Sequence, residues 1–222
     1  MKRTIFIGDV HGCHDEMMKM LDAVRFSPED DEIYFTGDLI GKGPNALKTV
    51  QTVEQNHFKS VLGNWEAHLL KYISVPQELW TDKIKRFFDS LEDPFWIANA
   101  VKKWPLWYDT PQALLVHAGL EPGKQRLEDM NPNVLLSIRT WSGSAEEMKS
   151  PANPAWFECV TWSKPIVFGH WAAKGLVDIP GFHGLDSGCV YGKKLSAYCI
   201  EENKLYQIPA ARIYSPIKAG KS

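Results

Sequence analysis

Short apolar runs, glycine-bearing turns and amphipathic stretches follow one another in a repeating order along the first third of the chain. Ile5–Ile7 is an apolar run closed by Gly8. Behind it, Met17, Met18, Met20, Leu21 and Val24 recur at helical spacing within His14–Val24. Glu32–Thr36 is a second run, closed by Gly37. A loop through Pro44 then leads to a helix over Asn45–Glu54, with Asn45 a reasonable starting residue. His57–Leu62 is a third run, closed by Gly63, and a further helix begins near Ala67. Three strand–turn–helix units in succession predict a largely parallel inner sheet, and right-handed crossovers bring the three turns to one edge.

The pattern then changes. Over residues 71–105 the apolar positions Leu79, Ile84, Phe87, Phe88, Leu91, Phe95, Trp96, Ala100 and Val101 sit at helical spacing among lysines and acids. Two or three helices are expected there, as a cap or insertion or simply as a helical layer of the same domain. Strands come next at Leu106–Tyr108 and Ala113–Val116. A proline-punctuated, loop-rich segment holds a short helix at Val134–Arg139, and a strand at Pro165–Phe168 ends in Gly169. The remaining strands are expected at Gly184–Asp186, Lys194–Ile200 and Leu205–Ile208, in part antiparallel because the turn at Glu201–Lys204 is short. The end of the chain, from about Ser215, has the polar composition of a frayed tail.

Composition narrows the function classes. A chain of 222 residues suits one domain over 1–222, with the helical cap or insertion at about 66–105. The net charge of −2 gives no basic excess for bulk nucleic-acid binding. No apolar stretch of about 20 residues occurs, so no membrane span is expected, and the run behind Lys2 and Arg3 is too short for a signal peptide. Cys13, Cys159, Cys189 and Cys199 have no Cys-x-x-Cys spacing and read as free thiols of a reducing cytoplasm. No stable protein partner is evident.

The strand ends carry the chemistry. Asp9 with His11, then Asp38, Asn64, His117 and His170, each come directly after a short apolar run. One Asp-x-His pair alone is weak. Five such ends in order, with oxygen and imidazole donors only, point to two divalent metal ions. Asp38, the middle carboxylate, is the natural bridge, with Asp9 and His11 on one ion and Asn64, His117 and His170 on the other. Such a pair of ions lets a shared water ionise near neutral pH and offsets charge on a phosphoryl group. Manganese is the first expectation, with iron, zinc, cobalt or magnesium as alternatives. His14, His57, His68 and His183 read as ordinary hydrogen-bonded histidines.

At these motifs the chain resembles the phosphoprotein-phosphatase-type metallophosphoesterases. They are Gly8-Asp9-Val10-His11-Gly12, Gly37-Asp38-Leu39-Ile40-Gly41-Lys42-Gly43, Gly63-Asn64-Trp65-Glu66, His117-Ala118-Gly119 and Gly169-His170. Ala67-His68-Leu69-Leu70, Phe168-Gly169-His170-Trp171-Ala172 and Leu185-Asp186-Ser187-Gly188-Cys189-Val190-Tyr191-Gly192 look most like symmetrical diadenosine tetraphosphatases and tetraphosphatase-like phosphatases. The resemblance implies an α/β, four-layer αββα sandwich of calcineurin type, with two mixed sheets. It implies hydrolysis of dinucleoside polyphosphates, diadenosine tetraphosphate giving two ADP, with nucleotide-capped RNA ends as a further substrate class. It also implies phosphate contacts from Lys42, where the family usually has arginine, and from Arg139.

One departure bears on mechanism. The third motif of the family normally carries a histidine that protonates the leaving group, and Trp65 stands there. Indole does not supply a proton at neutral pH, so the proton donor is not identified by sequence. A lost general acid costs about 10²–10⁴-fold, and less where the leaving group is already a weak base. This favours a phosphoanhydride substrate over a serine phosphate. The alternatives are a protein serine/threonine phosphatase of the same fold, and a weakly active or non-catalytic nucleotide binder.

Overall fold

The computed structural model describes residues 2–216. The expected tail beyond Ser215 falls almost wholly outside that range. Two five-stranded mixed sheets form the centre of the molecule. In the first, β1 (Arg3–Ile7), β2 (Asp31–Phe35) and β3 (Lys59–Ser60) run parallel, and β9 (Lys194–Cys199) and β10 (Lys204–Pro209) add antiparallel on the other side of β1. In the second, the order is β4 (Trp107–Asp109), β5 (Leu114–Val116), β6 (Ile166–Phe168), β8 (Phe182–Gly184) and β7 (Val177–Ile179). Its inner strands β5, β6 and β8 are parallel and its two edges antiparallel.

Three apolar clusters build the layers. Phe6, Tyr34, Val61, Leu115, Val167, Leu185 and Tyr198 come from both sheets and fill the space between them. A larger cluster lies on the outer face of the first sheet, under α1 (His14–Ala23), α2 (Ala46–Gln55) and α3 (Asn64–Ile73). A third packs Trp156, Phe168, Val134 and Leu135 on the outer face of the second sheet, where α6 (Pro132–Ser137) lies. Helix, sheet, sheet, helix is the αββα arrangement.

Residues 71–105 contain a single 3₁₀ turn at Gln77–Leu79, then α4 (Asp82–Asp89) and α5 (Pro94–Val101). Thr81 and Asp93 cap these helices by accepting the Ile84 and Trp96 N–H groups. Ile84, Phe88, Leu91, Ile97 and Val101 join the same core as α1 and α2. These helices therefore sit in the outer layer of the first sheet.

Three sequence expectations need correction. The third strand keeps only Lys59–Ser60, because Leu62 N–H leaves the ladder and donates to Pro105 O at 2.7 Å. The strand placed at Gly184–Asp186 is Phe182–Gly184: Ser187 N–H turns back onto Leu185 O, and Asp186 leaves the sheet. The short helix is Pro132–Ser137, so Arg139 lies beyond its end.

At the opposite end of the first sheet from these turns, Arg3 forks onto Asp31, Nε to Oδ1 at 2.7 Å and Nη2 to Oδ2 at 2.8 Å, and reaches Glu202 at 2.9 Å. Asp31 is buried. Burial alone raises its carboxyl, but the Arg3 fork and the Ser27 N–H outweigh this and hold it below the ordinary value. Arg3→Leu is expected to cost about 1.5–3 kcal/mol at pH 7. A depressed carboxyl contributes stability above its unfolded pKa, lost as pH falls through the folded value, so the penalty should shrink below about pH 4. Urea unfolding of both proteins at pH 7 and pH 3.5 measures it, and an equal penalty at both values would contradict the assignment.

Candidate metal centre

Every expected ligand is on a turn at the carboxyl end of a strand, and the turns from both sheets meet. Asp9 and His11 follow β1, Asp38 follows β2, Asn64 opens α3 just after β3, His117 follows β5 and His170 follows β6. The backbone forces this concentration. His11, Asp38, Lys42 and His170 have φ of 48°, 51°, 63° and 68°, the left-handed region that non-glycine residues rarely occupy.

Two donor groups result, each with one ligand atom per residue and all such atoms within 4.8 Å of one another: Asp9, His11 and Asp38, and Asp38, His117 and His170. Asp38 is common to both. Its Oδ2 lies 3.6 Å from His11 Nε2 and its Oδ1 3.5 Å from His117 Nε2. Asn64 belongs with the second group, its Oδ1 lying 2.8 Å from His170 Nδ1 and 3.1 Å from His117 Nε2. An amide oxygen and two imidazole nitrogens thus converge on one point.

The surroundings fix these donors. His117 Nδ1 donates to Thr36 O at 2.7 Å and His11 Nδ1 to Ile40 O at 3.0 Å, which leaves each Nε2 with its lone pair facing inward. Burial holds His11, His117 and His170 below the ordinary histidine value, so they are neutral ligands. Asp9 accepts the Thr36 hydroxyl at 2.7 Å and the His170 N–H at 2.9 Å. Gly169 has to be glycine, since a Cβ there would overlap Asp9 Oδ1. Burial pushes Asp38 up to about 7, with Lys42 pulling it down. Asp9 is raised by burial and by the neighbouring Asp186 and Asp38 carboxylates. Buried carboxylates and neutral imidazoles, with His170 Nδ1 and His117 Nε2 turned to the same amide oxygen, are a donor set that fits divalent cations.

Three residues escaped the sequence reading. Asp186 is buried against Asp9. It comes after the apolar Leu185 just as the candidate ligands come after their runs, so the same punctuation marked it. Glu66 is fully buried, and its carboxylate accepts the N–H groups of Asp38, Leu39, Ile40 and Gly63 at 2.8–3.2 Å. It therefore clamps the Asp38 turn to the start of α3. Its signal was the acidic third position of a helix opened by Gly63. Thr36 had no signal beyond its place before Gly37.

Trp65 lies over the site and against the helical layer. Its ring stacks on Phe87 at 5.5 Å, meets His11 edge-on at 5.7 Å and lies 5.0 Å from Lys42 Nζ. Lys42 Nζ is also 5.2 Å from the Tyr191 ring and 2.9 Å from His11 Nε2. The indole occupies the space above Gly41, where a Cβ would overlap it. Glycine at 41 and tryptophan at 65, in neighbouring motifs, are thus sterically coupled. Gly41→Ala is expected to destabilise by about 1–3 kcal/mol from overpacking. The overpacking part should vanish in the Gly41→Ala/Trp65→His double variant, while the strain of an alanine at the Gly41 φ of 79° should remain. Additive losses in a double-mutant cycle of urea midpoints would rule out the coupling. Arg139 is half-buried near His170, with its Nε buried and unpartnered.

The sequence matches the calcineurin-like phosphoesterase family over residues 2–205. A symmetrical bis(5'-nucleosyl)-tetraphosphatase of Psychromonas ingrahamii is 27% identical, covering 94% of this chain and 97% of its own length. One from Aggregatibacter actinomycetemcomitans is 29% identical, with 94% and 98% covered. A crystal structure described as a candidate diadenosine tetraphosphatase superposes with a TM-score of 0.83 at 28% identity, covering 94% of both chains. A protein serine/threonine phosphatase from Saccharomyces cerevisiae shares the fold alone, at 13% identity and a TM-score of 0.54. The family implies divalent metal ions at a site of this kind, and the chain belongs to the calcineurin-like phosphoesterases.

Proposed function

We propose that the chain hydrolyses dinucleoside polyphosphates and cuts diadenosine tetraphosphate symmetrically into two ADP. The observation that carries this reading is the pair of donor groups joined at Asp38, with Lys42 at the His11 end and Arg139 at the His170 end. Asp9, His11 and Asp38 would hold one ion, and Asp38, Asn64, His117 and His170 the other. When bound, the ions supply Lewis acidity and an activated water. Manganese is the metal we favour.

The residues supply the rest. Lys42 offers a point charge to phosphate, held between two aromatic rings in place of the fork of an arginine. Arg139 offers a bidentate contact. Trp65 excludes water from the His11 side and donates no proton. A nucleoside diphosphate needs no donor to depart, whereas a serine alkoxide does. This disfavours the protein phosphatase reading. The four cysteines are unpaired, in keeping with a reducing cytoplasmic setting. We treat residues 2–216 as one unit. Among them no helix is long and apolar enough to cross a membrane.

The test is a substrate panel with added Mn²⁺: diadenosine tetraphosphate, an RNA with a dinucleotide cap and a phosphoserine peptide. ADP as the sole product of the first, and its absence with Asp38→Ala, is the expected result. Release of ATP and AMP, or faster cleavage of the phosphopeptide, would overturn the reading.

A further inference from the structure

Beyond Arg139 lies a second cation that none of the motifs contains. The backbone N–H groups of Arg139 and Thr140 both donate to Met148 O, at 2.8 and 3.0 Å. The Thr140 hydroxyl donates to Ser150 O at 2.8 Å. These bonds strap residues 148–150 to 139–140, so Lys149 is held beside Arg139 although its loop is otherwise irregular. The charges register one another: burial and then Arg139 hold Lys149 below the ordinary lysine value. After burial and His117, the cations that press on His170 are Arg139, Lys149 and Lys42. Lys149 also acts on His68 of α3. Its backbone is fixed beside Arg139 by the bonds to Met148 and Ser150, and its side chain is exposed.

Neither cation is neutralised within the chain. Among the described residues no carboxylate lies within ion-pair distance of Arg139 or Lys149. The nearby Glu147 carboxylate instead accepts the Ser142 hydroxyl at 2.7 Å. Arg139 Nε is buried with no partner at all. Two adjacent positive groups repel, and a buried guanidinium N–H left unpaired is costly. An anion placed between them relieves the repulsion.

We propose that Arg139 and Lys149 form a phosphate subsite for the part of a polyphosphate chain that extends past the phosphoryl group under attack, with Lys149 setting the preference for a long chain over a single phosphate ester. This rests on the dinucleoside polyphosphate reading and sharpens it. Lys42 stands at the His11 end of the centre and the Arg139–Lys149 pair at the His170 end. A polyphosphate chain carries charge for both ends at once, which a single phosphate ester does not.

The experiment compares wild type, Lys149→Ala and Lys149→Arg, each loaded with Mn²⁺. Kinetics are read on diadenosine tetraphosphate and on p-nitrophenyl phosphate. Competitive inhibition is read with inorganic tripolyphosphate and with orthophosphate. Lys149→Ala should raise the tetraphosphate KM and the tripolyphosphate Ki by about fivefold, the scale of one exposed charge contact. The p-nitrophenyl phosphate parameters and the orthophosphate Ki should stay unchanged. Lys149→Arg should restore both values. Equal shifts for the long and short anions, or no shift for either, would overturn the subsite. Should wild type cleave p-nitrophenyl phosphate but not diadenosine tetraphosphate, the functional reading fails, and the contrast between tripolyphosphate and orthophosphate still judges the subsite.

Discussion

Asp38→Asn is expected to lower the hydrolysis of diadenosine tetraphosphate by about 10³-fold or more, while the fold survives. Asparagine keeps the shape of aspartate and can still accept the Trp65 N–H that Asp38 Oδ1 takes at 2.9 Å. What it loses is the one charge shared by both donor groups. The stability readout separates this from a folding defect. Without metal, burial pushes Asp38 up to about 7, far above its unfolded value. A raised carboxyl works against folding once the unfolded chain ionises, so metal-free wild type should lose stability as pH climbs from about 4 to about 7. Metal-free Asp38→Asn keeps the slope of the other raised carboxyls, Asp9, Asp186 and Glu66, but loses that of Asp38, and should be the more stable of the two at pH 7. Added Mn²⁺ should reverse the order, since a ligand at 1,000 times its Kd stabilises by ~4 kcal/mol. Thermal unfolding with and without chelator, alongside metal analysis, tests this. A variant that still loads two ions per chain would contradict the bridging role.

Trp65→His should split the substrates. If the missing imidazole is what limits monoester cleavage, its return should raise kcat/KM on a phosphoserine peptide by about 10²-fold, the lower range of general acid catalysis. Diadenosine tetraphosphate should change little, because its leaving group departs without a proton. The structure adds a cost. The indole fills the space over Gly41 and stacks on Phe87, so the smaller ring also loosens the hold on Lys42. A modest rise in KM for the tetraphosphate is therefore expected with kcat preserved. Equal factors on both substrates would defeat the leaving-group argument.

The candidate ligands were legible because strand ends in a parallel sheet share one edge. Asp9, His11, Asp38, Asn64, His117 and His170 stand out by their position just after an apolar run, with no knowledge of how the two sheets face each other. Residues whose role depends on that facing were harder to see. Thr36 matters because its hydroxyl meets Asp9 and its carbonyl meets His117 from the other sheet. Glu66 reads locally as a helix-start acid, and only the folded chain shows its carboxylate under the Asp38 turn. Strand limits failed where apolarity outlasted the ladder, at Val61–Leu62 and Leu185. The edge strand β7 (Val177–Ile179) is only three residues long with Val177 alone buried, too short an alternation to stand out.

The four left-handed residues around the candidate metal centre have an evolutionary consequence. His11, Asp38, Lys42 and His170 each hold a backbone conformation that costs an L-residue about 1–2 kcal/mol. Glycine at any of them would relieve that strain, but it would also remove a side chain with its hydrogen bonds and forfeit the stabilisation that metal binding would supply. Metal supply should therefore decide which way selection for heat resistance pulls: without metal it favours losing the buried charge at Asp38, and with metal it favours keeping the candidate ligands.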